Sequence, residues 1–160
     1  MSENRVGFGY DIHRLIPGDG LILGGFKVPA DVRCDAHSDG DLVFHAISDA
    51  ILSSLGKNDI GYYFPDNSLE TLNLDSINIV KKALEFLKED RYIINNVTVT
   101  IILEFVKLKD YKDKIKESVA KALSISEDKV AIHAKTKEKL DAVGQGKAIE
   151  TYASILISKE

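Results

Sequence analysis

Apolar and polar positions alternate at the start of the chain. Val6, Phe8, Tyr10 and Ile12 interleave with Gly7, Gly9, Asp11 and His13, the two-residue period of a half-buried strand. Pro17-Gly18-Asp19-Gly20 has turn chemistry, and residues 21–28 read as the returning strand of a hairpin. The period then lengthens. Leu42, Val43, Ala46, Ile47, Ala50, Ile51 and Leu55 share one helical face, with Ser38-Asp39 as the predicted start and Gly56 as the stop. Residues 58–67, containing Phe64-Pro65-Asp66, predict an ordered loop. A second helix is predicted from Asp75 or Ser76 to Lys88, with Ile79, Val80, Ala83, Leu84 and Leu87 inward. After Asn95-Asn96, the β-branched run 97–103 predicts a central strand. Asp110 is read as the cap of a third helix reaching Leu123, its face carried by Tyr111, Ile115, Val119, Ala122 and Leu123. Residues 129–134 and 149–157 read as strands on either side of a Gly-containing loop at 142–146. Strands and helices alternate, but an opening hairpin excludes a purely parallel sheet. The expected class is α+β: a mixed β-sheet with an N-terminal hairpin, covered by helices, in one domain spanning residues 1–160.

Composition narrows the function. The 160 residues carry 21 basic and 25 acidic side chains, a net charge of −4, with the cations dispersed. That balance argues against a nucleic-acid binder or a membrane-surface protein. No apolar run approaches the roughly 20 residues a membrane span needs. The polar start Met1-Ser-Glu-Asn-Arg5 leads to the expectation of no signal peptide, and a single cysteine, Cys34, excludes an internal disulfide framework. A cytoplasmic location is expected.

Four places invite a chemical reading. Asp11 and His13 are two apart on a predicted strand, so their side chains leave the same face. His45, inside the first helix, is the natural third ligand. Two imidazoles and a carboxylate form a zinc set with an open fourth position, and Asp49, one turn on, is placed to orient the His45 ring. The alternative is that Asp11 and His13 are surface positions and His45 an ordinary hydrogen-bonded histidine. His37-Ser38-Asp39-Gly40-Asp41 is either a phosphate-receiving helix start or simply a helix cap. Cys34 reads as a small packing residue rather than a soft metal ligand. Gly144-Gln-Gly-Lys147 lacks the first glycine and the Ser or Thr of a nucleotide-binding P-loop, so it is a Gly-rich connection.

Taken together, Gly7-Phe-Gly-Tyr-Asp-Ile-His-Arg14, Leu23-Gly-Gly25, Asp35-Ala-His-Ser-Asp-Gly-Asp41 with His45-Ala-Ile-Ser-Asp49, Asp59-Ile-Gly-Tyr-Tyr-Phe-Pro-Asp66, Asp75-Ser76, Asn96-Val-Thr-Val-Thr-Ile-Ile102 and Thr136-Lys-Glu-Lys-Leu140 resemble the 2-C-methyl-D-erythritol 2,4-cyclodiphosphate synthase family. The resemblance implies a phosphorus–oxygen lyase of non-mevalonate isoprenoid biosynthesis. Such an enzyme cyclises 4-diphosphocytidyl-2-C-methyl-D-erythritol 2-phosphate and releases CMP. It also implies a homotrimer packed through its sheets, with each active site shared by two subunits. By motif position Asp11, His13 and His45 would hold Zn2+, and Mg2+ or Mn2+ would bridge the substrate diphosphate. His37 and Ser38 would meet the phosphorylated end, and Asp59, Gly61, Phe64 and Asp66 the methylerythritol. Residues 103–108 (Leu103, Lys107 and Leu108 among them) and 134–138 (Ala134, Lys135, Thr136 and Glu138) would face the nucleotide of the neighbouring subunit. Lys107 and Thr136 fall near the diphosphate. The chain departs from the family pattern at Glu104-Phe-Val-Lys107, at Lys135, and at Gln145 and Lys147. Two other readings share the ligand set: a zinc-dependent phosphohydrolase, and a non-catalytic trimeric metal- or nucleotide-binding module.

Overall fold

The computed structural model describes residues 3–69 and 73–160. The order of elements is β1 (Asn4–Pro17), β2 (Leu21–Leu23), β3 (Phe26–Val28), β4 (Val32–Cys34), α1 (Leu42–Ser54), α2 (Ile60–Tyr63), α3 (Ser76–Glu89), β5 (Tyr92–Ile102), α4 (Lys112–Leu123), β6 (Val130–Lys135), α5 (Asp141–Gly144) and β7 (Ala148–Lys159). Five strands form one sheet in the order β4-β1-β7-β5-β6. Pairing is antiparallel except between β5 and β6, so the sheet is mixed as expected. The three long helices cover one face: α1 lies on β1 and β7, α3 on α1, and α4 beside β6.

Residues 21–28 do not return along β1. Gly24 and Gly25 take φ of 62° and 83°, a left-handed pair that folds the segment back on itself. β2 and β3 therefore pair with each other, and β1 is met instead by β4, with Leu15 opposite Cys34. The Asp41 carboxylate holds this fold-back in place: it accepts the Gly24 N–H at 2.8 Å, the Gly25 N–H at 2.6 Å and the Phe44 N–H at 3.1 Å. Asp41, not Ser38-Asp39, is thus the N-cap of α1, and its three donors satisfy a fully buried carboxylate. Burial nevertheless raises its pKa to about 6 against the pull of those amides.

The faces of β1 are assigned by its glycines. Gly7 and Gly9 are buried, and an added Cβ would stand 1.8 Å from the Ala50 carbonyl oxygen or 1.9 Å from that of Ala46. Only glycine lets the α1 backbone lie this close to the strand. Consequently Val6, Phe8, Tyr10 and Ile12 point away from the helices and are 41 to 70% exposed. The alternation was legible, but its buried side is the glycine side. Phe8 and Tyr10 pack against Tyr152 of β7 on the open face, with ring centroids 5.9 and 5.0 Å apart.

Every apolar position expected on α1 is buried, as are Ile79, Val80, Ala83 and Leu87 of α3. Burial of the leucines, isoleucines and valines among them is worth about 1.5–3 kcal/mol each. Asp110 does not cap α4: Tyr111 precedes it without a side-chain cap bond, and Ser124 closes it at φ 55°. The loop at 58–67 contains the short α2, capped by Asp59, whose side chain accepts the Tyr62 N–H. The connection at 142–146 contains α5, followed by Gly146 at φ 76°. Asn95 marks a bulge inside β5 rather than its start. Among the described residues no helix is long and apolar enough to cross a membrane.

Candidate active site

Strand β1 and helix α1 bring the proposed ligands together. Asp11 and His13 project from the face of β1 turned to α1, and His45 meets them from one turn inside the helix. One ligand atom from each lies within 4.8 Å of the others. Asp11 Oδ2 stands 2.9 Å from His45 Nδ1 and 3.1 Å from His13 Nε2. The second contact is close without hydrogen-bond alignment, and His13 Nε2 is a buried polar atom with no hydrogen-bond partner. An orphaned imidazole nitrogen aimed at a shared centre is what a metal-binding set presents. The Asp-His-His set therefore fits a divalent ion with nitrogen and oxygen preference.

The orientation of His45 is fixed from behind, though not by Asp49. Its Nε2 contacts Ser76 Oγ at 2.8 Å. The Ser76 hydroxyl is hydrogen-bonded to the Asp39 carboxylate, which also accepts the Ser76 N–H at 3.0 Å. Asp39 can only accept, so the Ser76 O–H donates to it and His45 Nε2–H donates to Ser76. In neutral His45 this leaves the Nδ1 lone pair on the Asp11 side, the tautomer a metal requires. Asp49 instead accepts the Ile60 N–H at 2.8 Å and positions α2. Ser38 does not open the helix; its hydroxyl accepts the Gly40 N–H at 3.3 Å. No spacing rule relates Ser76 to His45, 31 positions apart; the only signal was its place in the Asp75-Ser76 pair at a helix start.

Charges in the centre are coupled. For His45, burial alone lowers the pKa, but the Asp11 hydrogen bond and the charges of Asp11, Asp41 and Asp39 outweigh it, and the net direction is up. For Asp11, burial pushes up, and the two facing imidazoles overcome it and hold the carboxyl near 2. Cys34 is buried close by with its thiol pushed up to about 12, first by burial and then by neighbouring carboxylates, so it carries no thiolate at neutral pH.

A cavity of about 440 Å³ opens over this centre. It is lined by Asp11, His13, His37, Ser38, His45, Asp59, Gly61, Phe64 and Asp66, so the ligand set and the residues expected at the phosphorylated and methylerythritol ends share one concavity. Asp49, Ile60, Leu74 and Ile79 line it as well. A second cavity, about 190 Å³, lies where β5 and β6 end. Leu103, Lys107, Leu108, Ala134, Lys135 and Thr136 line it, together with Glu104, Lys109 and Lys112. Glu138 is not on its wall; it sits in the adjoining turn at φ 54°. The two cavities have no lining residue in common. The chain thus carries an acidic, histidine-bearing cavity and a separate lysine-rich one that also holds Glu104.

The YgbB family model matches residues 4–158. A 2-C-methyl-D-erythritol 2,4-cyclodiphosphate synthase of Fusobacterium nucleatum is 40% identical over 98% of this chain and 98% of its own length. That of Solibacter usitatus is 41% identical over 99% and 100%. Among solved structures, IspF of Plasmodium falciparum in a CDP complex superposes with a TM-score of 0.87 at 35% identity, covering 100% of this chain and 99% of its own.

Proposed function

The chain belongs to the YgbB family of 2-C-methyl-D-erythritol 2,4-cyclodiphosphate synthases, and from that premise we propose how its own residues perform the cyclisation. The reaction converts 4-diphosphocytidyl-2-C-methyl-D-erythritol 2-phosphate to 2-C-methyl-D-erythritol 2,4-cyclodiphosphate and CMP. The bond formed joins a 2-phosphate oxygen to the β-phosphorus, and the bond broken is the bridge from the β-phosphorus to CMP. The nucleophile belongs to the substrate. A phosphate monoester with a second pKa of about 6 is already largely ionised at neutral pH, so the protein needs no strong base. Its task is to fold the substrate back on itself and to neutralise charge.

Residues 1–160 act as one catalytic domain. Asp11, His13 and His45 would hold Zn2+, which would supply Lewis acidity to a phosphate oxygen. His37 and Ser38 receive the phosphorylated end, and Asp59, Gly61, Phe64 and Asp66 enclose the methylerythritol. The lysine-rich half-site of a neighbouring subunit completes the centre. Leu103, Leu108, Ala134 and Lys135 seat the nucleotide, Lys107 and Thr136 stabilise the charge growing on departing CMP, and Glu138 borders the diphosphate. Mg2+ or Mn2+ would accompany the substrate diphosphate and would supply charge neutralisation there. The trimer forms through the open face of the sheet, where Val6, Phe8, Tyr10 and Ile12 present an apolar strip. The location is cytoplasmic.

The observation that carries this reading is the 440 Å³ cavity, which gathers the metal set, His37, Ser38 and the 59–66 loop around one space. Phosphorus NMR of the zinc- and magnesium-loaded protein with the 2-phosphorylated substrate tests it. CMP and a cyclic diphosphate in equal amounts are expected. Free phosphate would make the protein a hydrolase, and unchanged substrate with a metal-loaded trimer would make it a binding module.

A further inference from the structure

Strands β5 and β6 stay paired to their ends, where the Leu103 N–H still bonds the Lys135 carbonyl at 3.0 Å. Both chains then leave the ladder, and the amides of the next turn lose their strand partner. Glu104 stands at that gap with 8% of its surface exposed. Its Oε2 accepts the Lys137 N–H at 2.9 Å and its Oε1 the Lys139 N–H at 3.0 Å. The turn so held is not a relaxed one. Glu138, Lys139 and Asp141 have φ of 54°, 60° and 54°. That backbone is unfavourable for residues with a Cβ and persists only where the surroundings over-determine it.

The surroundings do so from two further sides. The Lys137 ammonium is bonded to Glu150 of β7, whose other oxygen accepts the Tyr10 hydroxyl at 2.9 Å, and it lies 3.6 Å from Asp141. Gly144 lies beneath the turn, where a Cβ would come within 2.4 Å of the Lys139 carbonyl carbon. Within the turn, the Glu138 N–H points to Thr136 Oγ1 at 3.4 Å, an acceptor role that leaves the Thr136 proton for a ligand oxygen.

We infer that Glu104 is a positioning residue: its carboxylate replaces the missing strand neighbour and locks the 136–139 turn so that the Thr136 hydroxyl faces the second cavity. The inference deepens the proposed function and rests on it. Each carboxylate oxygen accepts one backbone amide, which ties the side chain to the turn at two points. A glutamine of the same length cannot take its place fully. Its amide offers one acceptor oxygen, and the NH2 group would confront the second N–H.

The test is Glu104→Gln in the full chain, with Glu104→Ala beside it, read in two independent ways. Amide hydrogen exchange at Lys137 and Lys139 should be slow in the wild type; it should accelerate at least about tenfold at both amides in Glu104→Ala and at one of the two in Glu104→Gln, while Val99 and Ala153 stay protected. CMP release should lose about tenfold or more in kcat, with KM for the substrate, zinc content and assembly near wild type, because the hydroxyl acts on charge that grows as CMP departs. Unchanged exchange at Lys137 and Lys139, or faster exchange with kcat unchanged, overturns the inference. A wild-type protein that releases no CMP removes the functional reading instead, and the exchange rates still decide whether Glu104 holds the turn.

Discussion

At the scale of the residue, the proposed metal centre sets a proton against a cation at His45 Nδ1. Without metal, Asp11 faces a His45 whose pKa lies above the usual 6.5. That raised value contributes stability fully present below pH 6.5 and lost as pH rises through the folded pKa. Asp11, held near 2 instead of 3.8, contributes stability present above 3.8 and lost as pH falls toward 2. The metal-free protein should therefore melt highest in mildly acid solution, between those limits. The zinc-loaded protein should do the reverse, its affinity falling about tenfold per pH unit once His45 protonates. Melting curves of chelated and loaded protein across pH check this, and parallel curves would refute it. Ser76→Ala removes the acceptor that selects the tautomer, and zinc affinity should drop about 10–100-fold with the fold intact; competition against a chromogenic chelator measures it. The Asp11 and His13 pair was legible because i and i+2 share a face of a strand. Ser76 and Asp39 were not, because a hydrogen-bond relay across elements leaves no period in the sequence.

At the scale of the element, the helices were the readable part. Leu42 to Leu55 repeat every third or fourth position, and packing against β1 and β7 buries each of them. The segment 21–28 was misread because its apolar residues look continuous; only the backbone of Gly24 and Gly25, tied to a carboxylate far along the chain, breaks it in two. The glycines of β1 held the missing information about its faces, since a strand apolar on one side and glycine on the other can bury either. Gly9→Ala tests that close approach. The methyl would sit 1.9 Å from the Ala46 carbonyl oxygen, so α1 must lift from β1 and carry His45 from Asp11. Stability should fall by about 1–3 kcal/mol or more, and bound zinc should fall with it, as denaturant melts and metal analysis would show. The same change at Gly56, which has open space around it but a φ of 69°, should leave zinc untouched.

At the scale of the molecule, the two cavities share no lining residue, and the proposed function joins them across two copies of the chain. The protein should sediment at three times 17.7 kDa, about 53 kDa, and Phe8→Asp on the open face should dissociate it and abolish turnover together. A sharper check mixes two dead variants, His45→Ala and Thr136→Ala, unfolds them and lets them reassemble. Mixed trimers contain some centres with both intact halves, so part of the activity should return. No recovery would place both halves of each centre in one chain.

The Asp41 clasp also bears on the order in which the chain folds. Asp11 and His45 are 34 positions apart, whereas Gly24 and Asp41 are 17 apart. Closing the shorter loop costs about 0.6 kcal/mol less than closing one twice its length. Once closed, it leaves less free chain between the strand and the helix that must meet. The carboxylate that caps α1 should therefore close its loop early, and during refolding followed by circular dichroism and zinc binding, helix signal should return before metal affinity does.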